Sequence, residues 1–566
     1  QQEDHSMYWI WKNYATYNQS LGKHNFSIMA GNEISKSAWE GIVLQKNNLS
    51  SNDIRVIGVD GTYVPSDGSK DGSTSASVFG RGNYNYADRY LLTATLRADA
   101  TSKFGSNNKW GYFPSFAGAW RMSGEEFMSS ATDWLSNLKL RAGYGQVGNS
   151  NIGTYLYGST MRALPTWLGT AYRMANNANP NLKWEASEQY NGGVDLGLFN
   201  NRIDLTVDIY YKTTKDLLLQ PSVSPVIGGS EWKDIATPYM NMGKVDNKGI
   251  DIALNTHNIA SKNFNWNSNI VFSLNRNEVK ALDALGTPIY GKLDWYAAFQ
   301  TVSMIAVGQP IGVFYGYKTD GLYKDAEDVK NSPRPKNVDV HRTTGAWVGD
   351  VKFQDLSGPD GIPDGIIDEN DQTIIGDPNP DFTFGFTNTL NYKNWELGIG
   401  ITGSYGAEIL NYVRVKTEGL MSQWDNQAVS VLNRAQLGYI DGDNSNVSNV
   451  DNSYISNASS NPTLPRWSGN DLNGNNRMSD RWIEDGSYLR IQNISLSYTM
   501  PQKWMKSIGV SNIKLYANAQ NVYTFTKYSG LDPEIGSYNQ RAGLSNVDMG
   551  RYPSPRVFTF GANISF

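Results

Sequence analysis

The chain of 566 residues contains no cysteine and only 4 histidines. No disulfide can staple it, and zinc sites built on cysteine are excluded. Nowhere do about 18 apolar residues run together, so the sequence encodes no helix that crosses a bilayer. An excess of positive charge is missing too. The 49 Lys and Arg stand against 54 Asp and Glu, a net charge of −5 that offers no field to nucleic acid. The opening residues Gln1-Gln2-Glu3-Asp4 lack the basic region and apolar core of a signal peptide. If the protein is exported, its signal is expected to lie outside this stretch.

What is present is aromatic. The chain holds 33 Tyr and 17 Trp, yet its hydrophobic residues make up only 39%. That combination suits strands with one face in lipid and rings gathered at the two interfaces. The dominant pattern has period two. Tyr90, Leu92, Ala94, Leu96, Ala98 and Ala100 alternate with Arg89, Thr93, Thr95, Arg97 and Asp99. Ile203, Leu205, Val207, Ile209 and Tyr211 alternate with Asp204, Thr206, Asp208, Tyr210 and Lys212. The same alternation covers 138–146, 250–254, 264–274, 382–392, 395–401 and 557–566.

Strands of about 9–12 residues are long for a soluble sheet and right for a tilted membrane strand. The connections are unequal. Tyr392-Lys393-Asn394-Trp395 and Phe199-Asn200-Asn201-Arg202 are tight, whereas 37–86, 149–188, 275–309 and 404–481 read as long loops. Short turns at one end and long loops at the other define an all-β, transmembrane antiparallel β-barrel of about 14 or 15 strands, with its long loops extracellular. Residues 124–136 read as an amphipathic helical insertion in a periplasmic turn.

Six segments, in order, resemble the SusC-type TonB-dependent transporters of Bacteroidetes. They are Asn107-Asn108-Lys109-Trp110-Gly111-Tyr112-Phe113-Pro114-Ser115 with Trp120-Arg121, Leu138 to Asn149, Gly349-Asp350-Val351-Lys352-Phe353 to Phe386, Glu484-Asp485-Gly486-Ser487-Tyr488-Leu489-Arg490, Asn518-Ala519-Gln520-Asn521, and Tyr552-Pro553 to Phe566. The resemblance implies a barrel of about 22 strands around an N-terminal plug. Nothing in this chain resembles the plug. Residues 1–566 therefore read as the C-terminal part of the barrel, with the plug and first barrel strands expected on polypeptide outside it. The resemblance further implies an outer-membrane importer and a SusD-like surface lipoprotein as lid. It also implies TonB acting through the plug, glycan cargo with peptides as the alternative, and a possible dimer of SusCD pairs. A surface adhesin or assembly barrel is the non-transport alternative. The row Phe558, Phe560, Ala562, Ile564 and Phe566 should face lipid, and its strand should seal against the missing part.

Within the third segment, Asp360, Asp364, Asp368 and Asp371 stand at positions 1, 5, 9 and 12 of a calcium-type loop, with Gly365 at position 6 and Ile367 at position 8. Ile362 at position 3 and Asp rather than Glu at position 12 depart from that pattern. Asp355 and Ser357 could add oxygens, so loop 355–371 is either a Ca²⁺ site or a solvated acidic loop. Gly143-x-Gly145-x-x-Gly148 matches a dinucleotide fingerprint only formally, because it lies in a barrel strand with no helix after it. His5, His24, His257 and His341 lack metal-ligand spacing, and no nucleophile grouping occurs, so no enzyme activity is expected. Loop aromatics Trp167, Tyr172, Trp184, Trp232, Trp295, Tyr296, Trp347 and Trp424 could contact cargo or simply pack. The sequence singles out no substrate residue.

Overall fold

A computed structural model describes every residue except 1, 52, 54, 55, 57, 59, 221–237, 284, 295–299, 420–425 and 506–508. Trp232, Trp295, Tyr296 and Trp424 lie outside the described residues. Fifteen long strands follow one another in chain order as antiparallel neighbours. They are β1 (Gln2–Leu21), β2 (His24–Asn47), β3 (Thr62–Tyr86), β4 (Tyr90–Thr101), β5 (Trp110–Arg121), β6 (Leu135–Asn149), β7 (Glu185–Leu198), β8 (Ile203–Lys215), β9 (Lys244–Ala260) and β10 (Phe264–Ala281), followed by β11 (Phe382–Tyr392), β12 (Trp395–Tyr405), β13 (Tyr488–Thr499), β14 (Asn512–Thr526) and β15 (Val557–Ser565). The chain divides into two compact units. One comprises 1–252 and 279–287, the other 253–278 and 288–566.

In the first unit, register turns the alternation of single strands into rows. Ile28, Gly82, Ala94, Phe116, Tyr144, Tyr190 and Tyr211 are successive cross-strand partners. The next row on that face is Phe26, Tyr84, Leu92, Gly118, Ala142, Gly192 and Ile209. Leu92 and Phe116 are each 56% exposed although the sheet hydrogen-bonds them on both sides. Large apolar rows left uncovered by protein are what a lipid-facing wall presents. The opposite face carries Ser27, Asn83, Thr93, Ala117, Gly143 and Asn191. On that polar face the Arg141 guanidinium donates to both carboxylate oxygens of Asp195 at 3.0–3.1 Å and to those of Asp208 at 2.9–3.0 Å. Gly193 makes room for it, because a Cβ there would stand 2.7 Å from Arg141 Nη2.

The strands β2 and β3 correct the sequence expectation. Residues 37–86 are not one long loop: β2 runs 24 residues and β3 runs 25, and only 48–61 connect them. At about 3.3 Å per residue each extends roughly 80 Å, far beyond a hydrocarbon layer about 30 Å thick. Their distal parts face water on both sides, so Ser, Gly, Asp and Lys replace the apolar alternation that marks a membrane strand. The expected helical insertion at 124–136 is instead a pair of 3₁₀ turns, Met122–Gly124 and Glu126–Ala131.

In the second unit the same two faces recur. Trp266, Leu390, Leu397, Leu496, Ala517 and Phe560 form an apolar row, and Phe264, Tyr392, Trp395 and Tyr498 form an aromatic one. Trp395 and Tyr498 have ring centroids 4.7 Å apart. Phe560 is 79% exposed, as the closing row requires of a strand in lipid. The described parts of the connections β10–β11, β12–β13 and β14–β15 are not slack. They fold into small sheets, one four-stranded (289–292, 301–305, 313–316 and 373–376) and one three-stranded around Glu408–Asn411. Their largest apolar cluster gathers Leu293, Phe314, Leu410, Tyr412, Trp482 and Val547, and a second gathers Tyr323, Val329, Trp347 and Val450.

Candidate functional site

Two features of the second unit can carry function: the polar face of its wall and the folded loop body. The polar face is built by Asn267, Thr389, Gly398, Ser495, Asn518 and Thr559, one cross-strand row. The adjoining row is Asn265, Asn391, Glu396, Ser497, Tyr516 and Gly561. Alternation places these amides and hydroxyls opposite the apolar rows. Fixed charge is sparse there, and Glu396 is paired with Lys514 at 3.2 Å. The Oδ1 atoms of Asn493 and Asn518 are buried and have no hydrogen-bond partner among the described residues.

The loop body is held by buried polar clamps. Asp350 is fully buried and receives the Trp347 N–H at 2.8 Å, Asn475 Nδ2 at 3.0 Å and Arg466 Nη2 at 2.9 Å. Asn475 Oδ1 in turn accepts the Val351 N–H at 2.7 Å. Gly349 precedes the clamp with φ +84°, a left-handed conformation that favours glycine. A second clamp joins Arg490, 3% exposed, to Asp532 at 2.5 Å and Glu534 at 2.8 Å. Burial pushes the Asp532 carboxyl up, but the Glu534 N–H and Arg490 outweigh it and hold the group below the usual carboxylate range. At Glu484 the upward push of burial is likewise overcome, by the Ser529 N–H and hydroxyl and by Arg414. Arg466, Asn475 and Asp532 carry no signal in the sequence, because their partners lie tens to more than a hundred residues away.

The acidic loop distributes its carboxylates. Asp371 is fully buried and accepts the Leu356 N–H at 2.7 Å and the Asp368 N–H at 2.8 Å. Asp368 caps the Asn370 N–H at 2.9 Å, Asp364 accepts the Ile366 N–H at 3.0 Å, and Asp360 is exposed. Asp355 accepts the Gly365 N–H at 2.6 Å, and its Oδ1 is buried without a partner among the described residues. Among the described residues no three His, Cys, Asp or Glu side chains gather as a metal-ligand group.

The loop aromatics separate into two kinds. Trp347 is fully buried in the loop core, with its indole N–H on Ser453 Oγ at 3.1 Å. Trp184 packs edge-on against Phe113 at 5.4 Å and donates to the Lys109 carbonyl at 2.9 Å. Trp167, 91% exposed, and Tyr172 stand free on a hairpin formed by Met161–Thr166 and Gly169–Met174.

Residues 4–522 match the family model described as TonB dependent receptor-like, beta-barrel. The chain is 32% identical to TonB-dependent receptor P3 of Formosa agariphila over 98% of its own length and 52% of that protein. It is 28% identical to the TonB-dependent receptor SusC of Bacteroides thetaiotaomicron, over 98% of the chain and 49% of SusC. The chain thus spans about half the length of the curated relatives it matches. Among solved structures, the RagAB peptide transporter superposes with a TM-score of 0.79 at 23% identity, covering 100% of this chain and 56% of the other.

Proposed function

Because the chain belongs to the TonB dependent receptor-like β-barrel family, and within it resembles SusC, we propose that it forms the C-terminal part of the wall of a TonB-driven nutrient importer. It is an outer-membrane protein whose long strands cross the bilayer. Its family is one of receptors and transporters rather than enzymes. In the proposed importer, a SusD-like lipoprotein seats on the folded loop body, and TonB acts through a plug carried by the remaining polypeptide. Two such pairs associate.

The cargo we propose is a glycan. The observation that supports this is the polar face of the second unit, where Asn267, Thr389, Ser495, Asn518 and Thr559 share one row. Amides and hydroxyls both donate and accept, as sugar hydroxyls do, and a wall with little fixed charge does not trap a neutral cargo. The same groups would also pair with a peptide backbone, which keeps peptides as the second reading. RagAB is named a peptide transporter, but likeness at this identity speaks to fold. The test is to purify the full transporter with its lid lipoprotein from native membranes and identify the bound cargo by mass spectrometry. Oligosaccharide is expected. Peptide alone would overturn the cargo reading, and failure of any lid lipoprotein to co-purify would overturn the importer reading.

A further inference from the structure

Register sets Lys12, Glu33, Ser77, Asp99 and Gly111 in one cross-strand row on the polar face of the first unit, and Gly31, Phe79, Arg97 and Phe113 in the next. Glu33, Ser77, Arg97, Asp99, Phe113 and Trp184 line one open cavity of about 480 Å³. That size suits a small ligand. Arg97 and Asp99 stand at the end of β4 away from the tight turn 87–89, and Trp184 ends the long connection 150–184. Long connections mark the extracellular mouth, so the cavity lies where cargo enters.

Its polar groups are fixed before any ligand arrives. Arg97 Nε donates to the two Asp99 oxygens at 2.7 and 2.9 Å, and Nη2 donates to Ser77 Oγ at 2.9 Å. The guanidinium also lies 5.4 Å from the Phe79 ring centroid. Glu33 accepts from Lys12 Nζ at 2.8 Å. The Arg97 side chain is still 39% exposed, and a guanidinium has more N–H groups than these contacts use. A carboxylate likewise keeps acceptor capacity beside an ion pair. Trp184, edge-on to Phe113 and pinned by its indole N–H, supplies an apolar wall. Gly111 makes room for it, because a Cβ there would stand 3.0 Å from Trp184 Cδ1.

We infer that this cavity holds one neutral sugar ring of the cargo and selects against acidic glycans. The paired oxygens of a carboxylate suit hydroxyls on neighbouring ring carbons, whereas a peptide backbone presents its N–H groups one per residue. The C–H face of the ring covers the indole. Among the described lining residues the only cation is Arg97, matched by Asp99, and Glu33 adds a second carboxylate. Lys12 is held by Glu33, and Lys103 donates to the Ser150 carbonyl at 3.4 Å. A uronate or sulfate would therefore bring its charge beside two carboxylates with no surplus cation among those residues, and like charges reject the wrong partner. The inference rests on the glycan reading and adds the place and charge of the sugar.

The test titrates the full transporter with its lid lipoprotein, in detergent, by calorimetry. The probes are neutral oligosaccharides of glucose, galactose, mannose and xylose, then oligogalacturonate, then oligoalanine. A neutral oligosaccharide should bind tightest. Asp99→Asn should weaken it about tenfold, the effect of one hydrogen bond to a charged group. Ser115→Trp, placed in the lining, should abolish binding by filling the cavity. Glu33→Gln, which releases Lys12, should raise oligogalacturonate affinity about tenfold, a change of specificity that a merely structural role would not produce. Neutral sugar bound alike by parent and all three variants would overturn the cavity and leave the glycan reading standing. Added protease sensitivity of the plug in those variants would reassign the cavity to the plug. Binding of oligoalanine alone would overturn the glycan reading and this inference with it. Tightest binding of oligogalacturonate by the parent, or no binding in any class, would overturn the inference. Glu33→Gln changes no shape, so it remains informative if Ser115→Trp fails to fold.

Discussion

Removal of the Asp350 carboxylate should release the loop body while leaving the barrel wall intact. In Asp350→Ala the Arg466 guanidinium, whose side chain is only 6% exposed, loses its counter-ion. The Trp347 N–H and Asn475 Nδ2 lose their acceptor as well. Breaking one partner out of a buried ion pair costs about 3–5 kcal/mol. That loss falls on residues 347–353 and 464–476, which belong to loop connections rather than to the long strands. A global melting midpoint would therefore understate it. Hydrogen exchange resolved by segment is the right assay, because it reports local opening free energies. Amides of 347–353 should exchange roughly 10² to several times 10³-fold faster in the variant, with β11–β13 unchanged. Unchanged exchange in that segment would refute the claim that the clamp holds the loops. Asp350→Asn should fall between parent and Ala, since it preserves shape and acceptor but removes the charge.

Three further outcomes follow from the same structure. Ile494 stands on the apolar face of β13 opposite Ile399, so Ile494→Arg should cost about 2–4 kcal/mol in refolding into lipid vesicles, and Thr389→Arg on the polar face far less. Asp532 and Glu484 are held below their ordinary values, so their contribution is present above the unfolded pKa and is lost as pH falls through the folded one. Proteolysis of 528–534 should therefore rise below about pH 4 and stay flat from about pH 6 to 8; a rise above neutrality would contradict the sign. Calcium should leave the melting midpoint unchanged, because Asp364, Asp368 and Asp371 already accept backbone N–H groups. A saturable rise that Asp371→Asn abolishes would show that the loop rearranges to take the ion.

The wall was legible in the sequence wherever lipid imposed period two. β4, β8, β11, β12 and β15 all carry the alternation, and tight turns follow β7 and β11. The distal parts of β2 and β3 were not legible, because a strand with water on both faces needs no alternation. Nor was the loop body. Its cores are assembled from irregular segments, so nothing local in the sequence separates the fully buried Trp347 and Trp482 from the exposed Trp167. Its clamps join Asp350 to Arg466 and Arg490 to Asp532, and no local spacing announces pairs so far apart. The acidic loop drew attention for its spacing, yet the structure spends most of its carboxylates on the loop's own backbone.

One assignment is central: within the bilayer, alternate residues of the long strands face hydrocarbon. The chain has no cysteine of its own, which makes a single-cysteine scan of it straightforward. Spin labels placed one at a time at Leu91, Leu92, Thr93, Ala94, Thr95 and Leu96 of β4 should be read for collision with oxygen against a water-soluble nickel chelate. Positions 92, 94 and 96 should favour oxygen, and 91, 93 and 95 should not, with a period of two. Equal access of the chelate to all six positions, or a period other than two, would contradict the membrane-spanning wall.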